Sequence, residues 1–195
     1  METRPAGTAG YREDAGELAR QYESVTFEKV HREVLHLFPE APARVLDLGA
    51  GTGRDAAALA ARGHTVVAVE PTVELRVHEA AGFTWLSDSL PELREVAGKF
   101  DLVLATAVWM HLDPAERGRA MRRVSELLAP QGRVLLLLRH GPVPQGRRMH
   151  PVSADETVAL AGEFGLVEVH RSERADAHGR TGVSWTHLGL DLKSA

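Results

Sequence analysis

The stretch from Val45 to Pro71, VLDLGAGTGRDAAALAARGHTVVAVEP, decides the fold. Its apolar lead-in, Ala43 to Leu48, stops at glycines and reads as a buried strand. Gly49, Gly51 and Gly53 make the turn, and an Ala-rich helix runs from Gly53 to Arg62, with Gly63 as its stop. His64 to Val69 is a β-branched strand closed by Glu70, which lies 19 residues beyond Gly51. Strand, glycine loop, helix and strand form one unit of a parallel sheet. Glycine there permits the tight turn and leaves bare backbone for a ligand. An acid at the end of the second strand is placed to accept hydrogen bonds from a ribose diol.

The alternation continues outward. Upstream, Leu18, Tyr22, Val25, Val30, Val34 and Leu37 recur at steps of three to five, which predicts a helix over 11–38 ended by Pro39 and Pro42. Residues 1–10 read as a loose terminus. Downstream, the pattern predicts a short helix over Val73–Ala80, a strand over Phe83–Leu86, a helix over Pro91–Ala97 and a strand over Phe100–Thr106. Asp113 and Pro114 suit the N-cap and first position of a helix running to Ala129, and Gly132–Arg139 is a fifth strand. Ser153 and Glu156 suggest a capping box for a helix ending near Gly165. Leu166–Val169 and Val183–Leu192 are the last strands, joined through the polar spacer RSERADAHGRTG as a hairpin. Strands alternating with helices predict an α/β fold, a doubly wound and largely parallel sheet covered on both faces, with an antiparallel edge. The expected organisation is a single domain over 1–195, with the core in 43–195 behind an N-terminal helical cover at 11–38.

Composition narrows the chemistry. The 195 residues suffice for one full core, and 44% hydrophobic with 26% charged residues is ordinary for a globular protein. The absence of Cys excludes a thiolate nucleophile and Cys-ligated metal sites. A net charge of −4 argues against general nucleic-acid binding. The ten His show no H-E-x-x-H spacing, so no metal is expected. The longest apolar runs, Leu102–Met110 and Val134–Leu138, fall far short of the roughly 20 residues of a spanning helix. The polar N-terminus lacks a secretory apolar region, so the expected location is the cytoplasm, without membrane partners.

The glycine loop distinguishes ligands. A dinucleotide fingerprint, G-x-G-x-x-G/A counted from Gly49, requires its third glycine where Arg54 stands. Asp47 precedes the loop, where a pyrophosphate would be repelled and a cationic amino group welcomed. That pairing favours S-adenosylmethionine over a nicotinamide cofactor.

At this point the chain resembles the class I S-adenosylmethionine-dependent methyltransferases of the small-molecule type. VLDLGAGTG matches the family's first motif, VVAVEP the second, FDLVLATAVWMHLD the strand-four motif and LLAPQGRVLLLL the segment leading into strand five. The resemblance covers Ala43 to Arg139 well. It implies a Rossmann-like sheet of seven strands in the order 3-2-1-4-5-7-6, with strand seven antiparallel. It also implies that Asp47, Gly49 and Gly51, with Ala50 and Gly53 completing the loop, surround the methionine part of the cofactor. Glu70 would bind the ribose, while Pro71 and Thr72 border the adenine. Asp88 would accept from the adenine amino group, followed by Ser89 and Leu90, with a helix N-cap or turn role for Asp88 as the alternative. Thr106 would lie near the methionine moiety, and Arg54 is a candidate for its carboxylate.

Acceptor residues are expected at the carboxyl ends of strands four and five, by the crevice rule for open α/β sheets. That selects Trp109, Met110, His111, Arg139 and His140. His111 and His140 are the candidate catalytic residues, as base, substrate ligand or orienting group, with capping or packing as the alternative. Residues Leu127–Ala154 contain no acid but hold Arg133, Arg139, Arg147 and Arg148. The loop GPVPQGRRMHP is therefore either a cationic mouth for an anionic acceptor or a solvated basic loop paired with surface acids. Tyr11, Arg12, Arg20 and Tyr22 could face the site from the N-terminal segment, with packing favoured for Tyr22, Trp185 and His187. ATAVWMH lacks the Asn/Asp-Pro-Pro-aromatic signature of amino-group methylation on DNA bases or glutamine. The expected function is methyl transfer to oxygen or nitrogen of a small, anionic acceptor by a monomer or homodimer. A non-catalytic cofactor-binding module and a nicotinamide oxidoreductase are the competing classes.

Overall fold

The computed structural model describes residues 6–79 and 81–193. Seven strands, β1 (Arg44–Leu48), β2 (Thr65–Val69), β3 (Thr84–Leu86), β4 (Phe100–Thr106), β5 (Leu128–His140), β6 (Leu166–Ala175) and β7 (Ser184–Leu192), form one sheet. Its order is β3-β2-β1-β4-β5-β7-β6. Strands β1 to β5 pair in parallel, and β7 runs antiparallel to both β5 and β6. This is the Rossmann-like doubly wound sheet that the alternation predicts.

Two apolar layers flank the sheet. Along β4, Leu102 and Leu104 join Phe27, Ala56 and Leu59 on one face, while Val103 and Ala105 join Met121, Val124 and Leu127 on the other. The period of two in a strand produces that division. The helices are α1 (Ala15–Glu23), α2 (Phe27–Val30), α3 (Arg54–Ala61), α4 (Pro114–Leu127) and α5 (Ala154–Glu163). Helix α4 starts as expected, with Pro114 at its first turn and a reciprocal Asp113–Glu116 capping box. At α5 only half of the predicted box forms. Ser153 accepts from the Glu156 amide, but the Glu156 carboxylate instead takes Arg117 Nη1 at 2.9 Å.

Several predicted elements differ. The helix expected over 11–38 is three pieces, α1, α2 and a 3-10 turn at Leu35–Leu37. Ser24 folds its hydroxyl onto the Gln21 carbonyl, and Thr26 caps a fresh start by accepting the Lys29 amide. The breaks let Val25 and Val30 enter one apolar layer and Phe27 the other. The helix expected at Val73–Ala80 is only a 3-10 turn, Val73–Leu75, and Ala80 lies outside the described residues. The amides of Val77 and His78 both donate to the Thr52 carbonyl, which draws the chain to the glycine loop. Pro91–Ala97 is not helical. Arg123 takes the Leu93 and Val96 carbonyls there, and Asp88 takes the Glu95 amide. Strand β6 absorbs the first part of the spacer expected as a connection. The described part of the expected loose terminus is a 3-10 turn, Ala6–Thr8, with Gly7 against His111.

Candidate active site

The carboxyl ends of β1 to β5 open into a cleft of about 1300 Å³, roofed by α1 and bounded on its far side by β6 and β7. Single-ligand pockets commonly measure about 300–1,000 Å³, so this cleft has room for two adjacent ligands.

Glu70 organises one end. It is buried, and its two oxygens accept the Gly51 amide at 2.9 Å and the Thr72 amide at 2.7 Å. The carboxylate thus joins the glycine loop to the turn after β2, and its remaining lone pairs stay open to a diol. Burial pushes its pKa up against the opposing pull of those amides. Asp47, at the end of β1, is also buried, and its Oδ2 has no partner. Burial and the neighbouring Asp55 charge hold its carboxyl well above the usual carboxylate range. An unpartnered buried carboxylate calls for a cation, and an ammonium group supplies one.

The loop glycines have separate reasons. At Gly49, with φ +64, a Cβ would lie 2.5 Å from Val108. Gly53 caps α3 in left-handed conformation, and a Cβ there would strike the Trp85 ring at 2.7 Å. Gly53 does not line the cleft, which corrects its assignment as a ligand contact: packing against β3 requires that glycine. Gly49, Ala50 and Gly51 do line it.

Arg54 also reaches the cleft, but its guanidinium is engaged. It donates to the carbonyls of Tyr22 at 3.0 Å and Val25 at 3.3 Å, and to Asp55 at 2.7 Å. Its observed work is to fasten the N-terminal segment, in place of the free carboxylate partner expected. Asp55 was not singled out from sequence, yet it is a hub. Its oxygens take Arg54, His31 Nε2 at 2.8 Å and the Thr106 hydroxyl at 3.2 Å. The His31 ring and the Arg54 guanidinium hold its pKa far below the usual range despite burial. The legible signal was an acid in the first turn of the helix after the loop. Asp88 and Ser89 line the cleft with Pro71. Both Asp88 oxygens accept backbone amides at 2.7 Å, from Ser89 and Glu95, so it shapes the loop whatever else it holds.

The other end of the cleft begins at the 3-10 turn Trp109–His111. Three residues per turn aim its side chains in three directions. Met110 and His111 reach the cleft, while Trp109 is buried in the core, which corrects its expected substrate contact. His111 Nδ1 faces the Arg148 carbonyl at 2.8 Å and must donate to it. Nε2 therefore accepts the Tyr11 hydroxyl, 2.9 Å away. Burial and the nearby Arg147, Arg139 and Arg148 outweigh that carbonyl and lower the imidazole's pKa. Tyr11 lies under the Arg147 guanidinium, 4.5 Å from its ring centre, and burial pushes its phenol far up.

His140 is not part of this constellation. It bonds Thr186 Oγ1 at 2.8 Å and lines an adjoining cavity of about 260 Å³, which Met110, Arg139 and Met149 border together with the cleft. Alternation along β5 turns it away from the main cleft, so the structure does not bring it together with His111. Arg147 and Arg148 line the cleft, but each is paired: Arg147 with Asp14 at 2.8 Å, Arg148 with Glu116 at 2.9 Å and Asp113 at 3.2 Å. The loop's arginines are thus paired with acids, as the second of the two readings has it, and do not form an open cationic mouth. Of Arg133, Arg139, Arg147 and Arg148, only Arg139 has no acidic partner among the described residues. Its hydrogen bond is to Met149 Sδ at 3.8 Å. Tyr22 and Trp185, expected to pack, line the cleft, whereas His187 is buried away from it.

A family model described as methyltransferase domain matches residues 18–170, and the chain belongs to that family. The fold is that of the class I S-adenosylmethionine-dependent methyltransferases. An uncharacterized methyltransferase of Mycobacterium tuberculosis is 38% identical over 104 residues, covering 52% of this chain and 42% of the relative. One from Oceanobacillus iheyensis is 28% identical over 118 residues, 59% of this chain and 55% of the relative. The chain spans about half the length of these curated relatives. Among solved structures, Burkholderia thailandensis 1,6-didemethyltoxoflavin-N1-methyltransferase with bound S-adenosylhomocysteine superposes with TM-score 0.65 at 21% identity, over 100% of this chain and 94% of that one. Magnesium protoporphyrin IX methyltransferase from Synechocystis, with bound S-adenosylmethionine, gives 0.66 at 15% identity over 99% and 87%.

Proposed function

We propose that the protein is an S-adenosylmethionine-dependent methyltransferase acting on an oxygen or nitrogen of a small acceptor that carries an acidic group. One observation carries this reading. Two buried carboxylates, Asp47 with an unpartnered oxygen and Glu70 on the glycine-loop amide, face one cleft from adjacent strand ends. The residues fit the cofactor's charges: Asp47 matches an ammonium group and Glu70 a ribose diol. Gly49, Ala50 and Gly51 offer backbone beside them, with Thr106 close to the methionine portion. Asp88, Ser89 and Pro71 border the adenine end.

S-adenosylmethionine supplies a sulfonium methyl for in-line displacement, so the protein's main tasks are to orient the acceptor and exclude water. The N-terminal segment, fastened through Arg54, covers the cofactor end. Met110, His111 and Arg139 border the acceptor end. Arg139 faces the acceptor's acidic group, as the unpaired guanidinium there. His111 holds the Tyr11 hydroxyl in place, and through it can take a proton from an acceptor that must lose one. The small-molecule acceptors named for the two structural neighbours agree with this class.

Isothermal titration with S-adenosylhomocysteine tests the reading: saturable one-to-one binding is expected, and folded protein that binds none removes it. A metabolite screen with labelled methyl donor then identifies the acceptor.

A further inference from the structure

We propose that Arg139 and Arg174 form a dianion subsite at the acceptor end of the cleft, so that the methyl acceptor is a small doubly charged anion. This rests on the methyltransferase reading of the cleft. The register places the two arginines. Arg139 of β5 lies directly opposite Trp185 of β7, and Trp185 lies directly opposite Arg174 of β6. Residues opposite one another across antiparallel strands project from the same face. Arg139, Trp185 and Arg174 therefore make one row across three strands, and all three line the cleft. Two strand spacings separate the arginine Cα atoms by about 10 Å.

Charge pairing and shelter from solvent together single these two out, since Arg94, which also lines the cleft with no ion pair among the described residues, is exposed. Arg147 is paired with Asp14, Arg148 with Asp113 and Glu116, and Arg180 with Asp176. Among the described residues, neither Arg139 nor Arg174 has an ion pair. Arg139 reaches only Met149 Sδ at 3.8 Å. Arg174 Nε is buried without an acceptor, and its guanidinium lies 5.9 Å from the Trp185 ring centre. Glu33 and Asp176 are its acidic neighbours, but neither makes an ion pair with it: Glu33 holds Arg32 through Oε1 at 2.9 Å and faces His187 Nδ1 at 3.9 Å through Oε2, while Asp176 Oδ1 holds Arg180 at 2.6 Å and Trp185 Nε1 at 2.9 Å, and its Oδ2 holds Arg180 Nε at 3.0 Å.

A guanidinium stays charged in any protein environment, so a sheltered one without a counter-ion is an unmet demand for an anion. Burial pulls both groups' pKa values down, outweighing the opposing effect of Asp176 on Arg139 and of Glu33 and Asp176 on Arg174. Two such cations in one row ask for two negative charges. The wall beside them, formed by Leu137, Met149 and Trp185, is apolar and suits a compact carbon skeleton.

The test titrates four probes into protein saturated with S-adenosylhomocysteine at pH 8: benzamide, benzoate, isophthalate and phenyl phosphate. At least one dianion should bind tenfold or more tighter than benzoate, with benzamide weakest. Preference for isophthalate marks acidic groups at two ends, and preference for phenyl phosphate a single divalent group. Arg174→Met should bring the dianions to the level of benzoate, and Arg139→Met should remove benzoate discrimination over benzamide. Arg139→Lys and Arg174→Lys should retain part of the preference, and each variant's S-adenosylhomocysteine affinity reports that it is folded. Equal affinity for all four probes, or no binding by any, overturns the subsite. Failure of wild-type protein to bind S-adenosylhomocysteine would instead remove the methyltransferase reading, and the probe titration on the unloaded protein would still decide the anion subsite.

Discussion

The Arg54 guanidinium donates to the Tyr22 carbonyl at 3.0 Å, so the residue that opens α3 behind the glycine loop also holds the roof of the cleft. A second bond to the Val25 carbonyl and the ion pair with Asp55 complete the fastening. Replacing Arg54 by Gln should therefore loosen residues before α2 and cost about 1–3 kcal/mol through the unpaired partners left behind. Limited proteolysis should show faster cleavage near 22–26. An unchanged cleavage rate would argue that the segment is held by its apolar contacts alone.

Glu70→Gln keeps one amide acceptor and removes the charge and the second. Hydrogen bonds to a charged group contribute about 1.5–3 kcal/mol, so S-adenosylhomocysteine affinity should fall about tenfold to a hundredfold. Calorimetry on the folded variant measures this. Affinity within twofold of wild type would separate Glu70 from cofactor binding and leave it a loop tether.

His187 gives stability a pH dependence of known sign. Its ring is buried, neither nitrogen has a hydrogen-bond partner, and burial with His31 and Arg174 nearby lowers its pKa to about 4. In the unfolded chain the value is that of ordinary histidine, so between about pH 6.5 and 4 the unfolded state binds more protons. Stability should be fully present above that window and fall by about 3 kcal/mol as pH drops through it. His111, lowered in the same direction, adds to the slope. Urea unfolding from pH 7 to 4.5 should show the decline, and His187→Gln should flatten it.

Gly49→Ala places a Cβ 2.5 Å from Val108 at a backbone φ of +64. Left-handed strain of about 1–2 kcal/mol and overpacking of about 1–3 kcal/mol should combine. Gly49→Ala with Val108→Ala should recover the overpacking part but not the strain. A double-mutant cycle by denaturant unfolding measures the coupling, and additive effects would show that Val108 moves aside freely.

Much of the architecture was legible because its signals are local. The β1-loop-α3-β2 unit, the α4 cap at Asp113 and the Glu70 acid are each set by residues within a few turns of chain. Two predicted helices failed where distant groups claimed the backbone. Thr52 took the amides after Leu75, and Arg123 took the carbonyls after Pro91. Asp55 went unnoticed because its partners, His31 and Thr106, come from elements far apart in sequence.

The sequence by itself determined the parallel core, the glycine loop with its two acids and the ends of strands where an acceptor would enter. Those features depend on periodicity, glycine conformational freedom and spacing along the chain. Only the tertiary structure decided which charges remain available. From composition, residues 127–154 were a basic stretch without acids. Folding brings Asp14 to Arg147 across 133 residues, sets Asp113 and Glu116 against Arg148, and leaves Arg139 and Arg174 on one face without an ion pair among the described residues. The reason is physical: a charge is neutralised by what lies within a few ångströms, and sheet register sets those neighbours.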